Sequence, residues 1–318
     1  MPWRPARPDA AGRTVAGCGL SRTAIASQNA GVETTNAIRD FLRSRRARLR
    51  LQDVGLPDDG HRRVSGLRRE EVALLAHVSV DQYIRLERGQ AWRVSDAVLH
   101  AVADALRLTP GERGYLHSLA RPSPHPPEEP AGAGVRDSVQ HLLDSLTDAP
   151  AYVVGRDGAV LAWNRLAAAV FTDFALVPPG RRTIGWLVFT HPRARTVYAD
   201  WELKARETVA YLRTEWGARP RDRALARQIR ELGDADDCFR RLWSEQVVVD
   251  LTRGSTRING PSGVQLRLSW DTFRTTGDPH EVVIAYTAAD GATSAALRGL
   301  SAAGRTPSRL RPDVPSTT

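Results

Sequence analysis

The sequence is poor in cysteine and in long apolar runs. Its 318 residues hold two cysteines, Cys18 and Cys238, with no second cysteine or histidine near either at metal-ligand spacing. This argues against a disulfide framework and a zinc site. No apolar run reaches the ~18 to 20 residues that cross a bilayer, and the basic N-terminus has no apolar stretch of the secretory type behind it. We therefore expect a cytoplasmic protein with no membrane partner.

Lysine is almost absent, and the charge balance is positive. Lys204 is the one lysine among 45 basic side chains, and the formal net charge is +9. A surplus of this sign favours a polyanionic partner without identifying it. Because an arginine-rich, lysine-poor composition is also what a GC-rich genome produces, no arginine is assigned to phosphate binding from composition. Only the position of an arginine in the fold can show whether it binds phosphate.

Composition divides the chain into two domains. Residues 1–33 are rich in Ala, Gly, Pro, Arg and Ser without periodicity, which predicts a disordered leader. A helical pattern fills 34–120, and the Pro-rich segment 121–134 is a linker. The second domain spans 135–302, and 303–318 is predicted to be a disordered tail.

The second domain mixes strand and helix patterns, so an α+β fold is predicted. After an opening helix, two β-type runs are joined by Asp157-Gly158, a hairpin signal. A helix is predicted from Asn164 to Phe171. Further helices are predicted at 194–216 and 221–245, and strands at 246–251, 264–273 and 281–288.

The segment from Gly66 to Gly89 has the pattern of two short helices joined by a tight turn. Ala73 and Ala76 supply small side chains where the helices cross, and Ser79 is positioned to cap the second helix. The residues predicted to face the shared core are Val72, Leu75, Val78, Ile84 and Leu86.

This segment resembles the helix-turn-helix of the Xre family, the lambda-repressor-like DNA-binding domains. The resemblance rests on Glu71-Val-Ala-Leu-Leu-Ala, a turn, Ser79, and Ile84-Arg-Leu-Glu-Arg-Gly. It implies an all-α domain that binds double-stranded DNA. Such modules usually work in pairs, so a homodimer is expected. The family usually has glycine at the turn, where this chain has His77, at a cost of about 1 kcal/mol for a left-handed backbone.

Position within the motif predicts the DNA contacts. Gln82 is suited to adenine and Arg85 to guanine in the major groove, while flanking arginines are suited to phosphates. Between Thr34 and Arg121, sixteen arginines face eleven acidic residues, so the domain is moderately basic. For any single arginine, the alternative is that it lies on a solvated helix face and binds no phosphate. For the whole motif, the alternative is a helical hairpin that packs on another element and binds no DNA. The predicted contacts are Arg43, Arg46, Arg68, Arg69, Ser79, Val80, Asp81, Gln82, Tyr83, Arg85 and Arg88.

The hairpin followed by Trp163-Asn164 resembles the opening of a PAS-like sensor fold, and the C-terminal half is similar to the ligand-binding domain of MmyB-like regulators of actinobacteria. The similarity rests on 150–171, 186–201, 239–243 and 272–279. This chain departs from the family within 250–263, where Gly260-Pro261 replaces a His-Pro pair. The resemblance implies a small, apolar, fatty-acid-like ligand and no further cofactor.

Large aromatic side chains are frequent in the second domain, and an apolar cavity lined by them is expected. For each of them, burial in the core is the competing interpretation. Asn164 and Arg195 are predicted to orient a polar head group. The predicted ligand-binding residues are Trp163, Asn164, Trp186, Phe189, Arg195, Tyr198, Trp201 and Trp270.

These patterns together predict a sequence-specific DNA-binding transcription regulator, associated with the nucleoid and controlled by a small apolar ligand. The main alternative is a constitutive regulator whose C-terminal domain only mediates dimerisation. An enzyme acting on a small apolar substrate is less favoured, because the sequence has no nucleophile elbow, glycine-rich phosphate loop or histidine–carboxylate cluster at catalytic spacing. Neither a catalytic nor a metal site is predicted.

Overall fold

A computed structural model describes residues 22–57, 66–121, 135–155, 157–220, 222–249, 251–261, 263–275 and 281–303. The predicted linker beyond Arg121 and the predicted tail beyond Ala303 lie outside the described residues. Among the described helices, none is long and apolar enough to span a membrane.

The N-terminal half is helical, as predicted. Its helices are α1 (Arg22–Arg48), α2 (Arg69–Leu75), α3 (Val80–Glu87), α4 (Asp96–Ala105) and α5 (Pro110–Ala120), with short 3-10 helices at Leu51–Val54 and Ala91–Arg93. Side-chain caps begin three of them, because Ser79, Ser95 and Thr109 each accept a hydrogen bond from the backbone N–H three residues on. Of these three caps, the one at Ser79 was predicted from the sequence.

Helix α1 begins at Arg22, twelve residues before the helical start expected at Thr34. The prediction of a disordered leader over 1–33 is therefore wrong for residues 22–33. This segment holds no proline and one glycine, Gly31, so nothing in its composition stops a helix from extending upstream. Residues 22–33 thus form a helix although their sequence has no apolar periodicity.

The C-terminal half combines one sheet with helices. It contains α6 (Asp137–Ser145), β1 (Ala151–Val154), β2 (Val160–Trp163), α7 (Arg165–Val170), α8 (Ile184–Phe189), α9 (Ala194–Val197), α10 (Trp201–Ala218), α11 (Arg223–Ala235), α12 (Asp237–Ser244), β3 (Arg253–Asn259), β4 (Gln265–Arg274), β5 (Val282–Ala288) and α13 (Gly291–Ala303). The five strands are antiparallel in the order β2-β1-β5-β4-β3. The predicted α+β class is confirmed.

The sheet has helices on both faces. Val139 and Leu143 of α6 pack with Val153 on one face, while Tyr152 and Leu166 belong to the core on the other. Strand β1 is consequently buried along its whole length. Helix α10 also lies over the second face, and a cavity is left between this helix and the sheet.

Three local predictions in this half are wrong. The described residues among 246–251 form no strand, and the third strand lies at Arg253–Asn259 instead. The β-like run at 246–249 reflects burial by helices, because Val247 packs with α10 and α12 while Val248 joins the core of the N-terminal domain. The helix predicted over 194–216 is broken between α9 and α10, and the helix predicted over 221–245 is broken between α11 and α12. Helix α13 was not predicted.

Candidate DNA-binding surface and ligand cavity

The turn between α2 and α3 has the geometry of a left-handed helix end. His77 has φ of 51°. The N–H of Val78 donates to the carbonyl of Ala73 at 3.0 Å, and that of His77 to Leu74 at 3.1 Å. This pair of bonds is the Schellman arrangement, which usually places glycine at the left-handed position. The strained turn expected from His77 is therefore present.

The beginning of α3 presents an exposed face. Ser79, Val80, Asp81, Arg85 and Arg88 are exposed, in agreement with their predicted place on the DNA-facing surface. Their contact with DNA stays a prediction.

Gln82 is half-buried and takes part in the helix cap. Its side-chain oxygen accepts a hydrogen bond from the backbone N–H of Ser79 at 3.0 Å, and its own backbone N–H donates to Ser79 Oγ at 3.2 Å. This reciprocal capping box fixes the start of the recognition helix. Leu74 of α2 is 64% exposed.

Tyr83 does not belong to this surface. Its side chain is fully buried in the helical core with Leu86, whereas Ile84 is only half-buried. The placement of Tyr83 on the outer face and of Ile84 in the core is thus a wrong assignment of helix phase. Because α3 begins at Val80, its inward stripe runs through Tyr83, Leu86 and Glu87. Burial raises the pKa of Tyr83, so the phenol stays neutral.

Two arginines predicted to contact phosphate instead hold a buried carboxylate. Glu87, 1% exposed, accepts hydrogen bonds from Nε and Nη2 of Arg46 at 3.3 Å each. Nε and Nη2 of Arg69 donate to it at 3.0 and 2.8 Å. Burial acts to raise the pKa of Glu87, but the hydrogen bonds and positive charges of Arg69 and Arg46 outweigh it and the pKa is lowered.

This cluster joins α1, α2 and the last turn of α3, so it fixes the orientation of the recognition helix. Glu87 was not predicted as a site residue. Its acidic character within an arginine-rich motif was the available signal. Arg43 and Arg68 are exposed and stay available to phosphates in the predicted way.

A cavity of about 280 Å³ lies between the sheet and α10. Its apolar wall comes mainly from β1, β4 and β5. A smaller space of about 40 Å³ adjoins it, since Ile184 and Lys204 line both. The wall residues of the larger cavity include Val154, Ile184, Leu251, Trp270, Val282, Ile284 and Tyr286.

The charged groups in the cavity are partnered. Lys204 Nζ lies 3.4 Å from a carboxylate oxygen of Glu207 and within 6 Å of the ring centres of Tyr198 and Trp270. Glu215 pairs with Arg219 at 2.5 Å. These pairs leave a lining whose net charge is small.

The phenols of the cavity are neutral donors. The hydroxyl of Tyr211 donates to the carbonyl of Gly155 at 3.2 Å, and burial raises its pKa well above the usual value. The hydroxyls of Tyr152 and Tyr286 lie 3.0 Å apart. The indole Nε1 of Trp270 is buried against Gly254 of β3 and has no hydrogen-bond partner among the described residues.

Of the predicted ligand-binding residues, Trp270 lines the larger cavity and Tyr198 the smaller one. The predicted aromatics Trp163, Trp186, Phe189 and Trp201 pack in the cores around them. The residues that sequence reasoning missed are chiefly on α10 and β5: Lys204, Glu207, Thr208, Tyr211 and Tyr286. The single lysine of the chain was the one signal that pointed there.

The two polar head-group candidates are occupied elsewhere. The side-chain oxygen of Asn164 accepts from the backbone N–H groups of Ala151 and Ala167, and its NH₂ group donates to the carbonyls of Leu146 and Ala149. These bonds cap α7 and hold its start against β1 and the segment before it, so the predicted head-group role of Asn164 is wrong. Its hydrogen-bonding capacity is filled.

Arg195 lies on the surface rather than in the cavity. Its side chain is 60% exposed and pairs with Asp236 at 3.3 Å. The guanidinium group stacks 3.7 Å from the ring centre of Trp201. The head-group role predicted for Arg195 has no counterpart in this geometry.

Two protein-family models match the chain. A model described as a helix-turn-helix domain matches residues 37–116. A model described as the MmyB-like transcription regulator ligand binding domain matches residues 135–300, just over half of the 318 residues. The chain belongs to the MmyB-like transcription regulators. A search of curated proteins found no match to this MmyB-like regulator.

The family assignment gives the two halves their functions. The MmyB-like regulator is a DNA-binding transcription regulator with an N-terminal helix-turn-helix domain and a C-terminal ligand-binding domain. Both resemblances drawn from the sequence are thereby confirmed at this level, whereas the Xre assignment stays a prediction. Within the described residues, no group of three His, Cys, Asp or Glu side chains is placed to hold a metal.

Proposed function

We propose that this MmyB-like regulator reads a specific DNA site with α3, and that a small apolar ligand in the cavity between the sheet and α10 changes its affinity for that site. The observation that supports the ligand most directly is the cavity of about 280 Å³ in the ligand-binding domain. This volume is close to the lower end of the range found for small-molecule sites.

The lining favours a mainly apolar molecule. Half of the twenty lining residues are aliphatic or aromatic, and the carboxylates of Glu207 and Glu215 already have cationic partners. A free charge on the ligand would have to compete with these pairs, at the cost of desolvation. A fatty-acid-like chain fits this description.

On the DNA side, we propose that Arg85 reads guanine and Gln82 reads adenine, while Arg43 and Arg68 contact phosphates. One copy of α3 covers only a few base pairs. We therefore propose a homodimer whose two recognition helices enter half-sites ~34 Å apart.

The test is a fluorescence-anisotropy titration of the full chain against DNA from upstream of its own gene, with a scrambled duplex of equal composition as control. Titrations run at two salt concentrations, because phosphate contacts weaken with salt while base discrimination persists. Dodecanoic acid serves as the defined apolar probe, beside a lipid extract.

A preference for the upstream DNA that the probe or the extract shifts supports the proposal. Specific binding that both leave unchanged contradicts ligand control and favours the constitutive regulator. Equal binding to scrambled DNA contradicts sequence-specific reading of this region.

A further inference from the structure

The cavity of the ligand-binding domain is closed in part by the DNA-binding domain. Gly111, Gly114 and Tyr115, all on α5, line it together with α10 and the sheet. We infer that this is a composite site, in which an apolar ligand contacts α5 of the DNA-binding domain directly. Ligand binding is then coupled to the docking of the DNA-binding domain on the ligand-binding domain. The inference rests on the proposed function insofar as it takes this cavity as the ligand site.

Helices α5 and α10 pack so closely that only glycine fits at one position of α10. A Cβ atom at Gly217 of α10 would lie 2.6 Å from Cε2 of Tyr115, a distance that no side chain tolerates. Tyr115 is fully buried, and its ring meets that of Phe41 on α1 edge-to-face at 5.1 Å. The same tyrosine therefore touches the cavity, α10 and the core of the DNA-binding domain.

Buried charges hold the two domains in one arrangement. Arg45 of α1, 3% exposed, pairs with Glu112 of α5 at 2.7 Å and donates to the carbonyl of Gln246 at 2.6 Å. From the other domain, Arg213 of α10 donates to the side-chain oxygen of Gln246 at 2.7 Å and to the carbonyl of Trp243. Burial lowers the pKa of Arg45 to about 10, so it is still charged at neutral pH.

Such a cluster tolerates few alternative arrangements. A small displacement that admits no water would leave a buried guanidinium group without acceptors, which costs several kcal/mol. Val248 and Trp216 from the ligand-binding half also pack on the helical core of the DNA-binding domain. The two domains are thus docked through a specific interface.

The contacts continue to the recognition helix. Phe41 and Arg46 lie on α1, and Arg46 bonds to Glu87 at the end of α3. Displacement of α5 by an occupant therefore acts on elements that are packed against α3 itself. Packed elements of this kind change between discrete arrangements rather than deforming smoothly.

Gly114 allows the inference to be tested from the DNA-binding domain. It is exposed at the edge of the cavity, and nothing lies within 4 Å of a Cβ atom built on it. Gly114→Trp places an indole at the cavity from α5. Gly299→Trp is the matched control, since Gly299 is also an exposed helical glycine with open space around it but lies on α13, away from the cavity.

The experiment titrates the neutral fluorescent probe N-phenyl-1-naphthylamine into the full chain and both variants, with thermal unfolding of each to verify the fold. Gly114→Trp is expected to raise the apparent dissociation constant at least tenfold, and Gly299→Trp to leave it unchanged. Gly114→Leu repeats the test with a smaller side chain if the tryptophan variant does not fold.

Unchanged probe binding in a folded Gly114 variant, or a wild-type chain that takes up no probe, overturns the inference. The proposed function fails separately. If dodecanoic acid leaves the DNA affinity unchanged while Gly114→Trp still blocks the probe, ligand control is refuted and the composite cavity stands.

Discussion

Replacement of Glu87 by glutamine is expected to loosen the recognition helix at its C-terminal end. Glu87 is the single carboxylate to which both Arg46 and Arg69 donate, and it connects α3 to α1 and α2. Glutamine keeps the shape and one oxygen acceptor. It removes the negative charge, however, and turns an NH₂ group towards guanidinium donors that it cannot satisfy.

The magnitude follows from the burial of the three partners. Breaking a fully buried ion pair costs about 3 to 5 kcal/mol. Here Arg69 is 47% exposed and regains water, while Arg46 is 18% exposed and keeps its bond to the carbonyl of Leu67 at 2.7 Å. We therefore expect a loss of about 2 to 3 kcal/mol in the free energy of unfolding, a value below the fully buried case.

The assay is urea unfolding of the wild type and of Glu87→Gln at several pH values, with the exposed Glu70→Gln as control. The folded-state pKa of Glu87 lies below its usual value of 4.5, so the stabilisation is fully present above that pH. It is lost as the pH falls through the lower folded-state pKa. The difference between wild type and variant should shrink accordingly.

Two outcomes would refute this reasoning. One is a Glu87→Gln variant as stable as the Glu70→Gln control at neutral pH. The other is a difference between wild type and variant that persists undiminished in acid, since a neutral carboxyl group no longer pairs with either arginine.

Two further predictions concern the same domain. Arg85→Ala should relax base preference at one position at a cost of about 1 to 3 kcal/mol, whereas Arg43→Ala, at an exposed position, should weaken binding to all sequences alike. Fluorescence anisotropy against single-base variants of the operator separates the two effects. An equal loss of affinity for all sequences from both variants contradicts the role of Arg85. His77→Gly should stabilise the domain by about 1 kcal/mol, because glycine adopts the left-handed backbone without strain. His100→Gly, at an exposed position inside α4, should instead destabilise it by about 1 kcal/mol, and thermal unfolding that ranks the two variants in the opposite order contradicts the turn geometry.

Features that depend on neighbouring residues were predictable from the sequence. Ser79 caps α3 as expected, because a cap needs only a side-chain oxygen and the next turn of backbone. The hairpin at Asp157-Gly158 is present for the same local reason. Asn164 was correctly placed at a helix start, but its ligand role was wrong, since the sequence did not show that four backbone groups would use its side chain.

The sequence by itself determined the two domains, the turn at His77 and the exposed start of α3, because each depends on periodicity or on residues a few positions apart. Only the tertiary structure decided that Tyr83 points inward, that Arg46 is bonded to Glu87 rather than free for phosphate, and that α5 closes the ligand cavity. Arg46 and Glu87 are 41 positions apart, and Arg45 and Gln246 are 201 apart. Contacts over such separations are set by how packed elements meet, which no local pattern in the chain records.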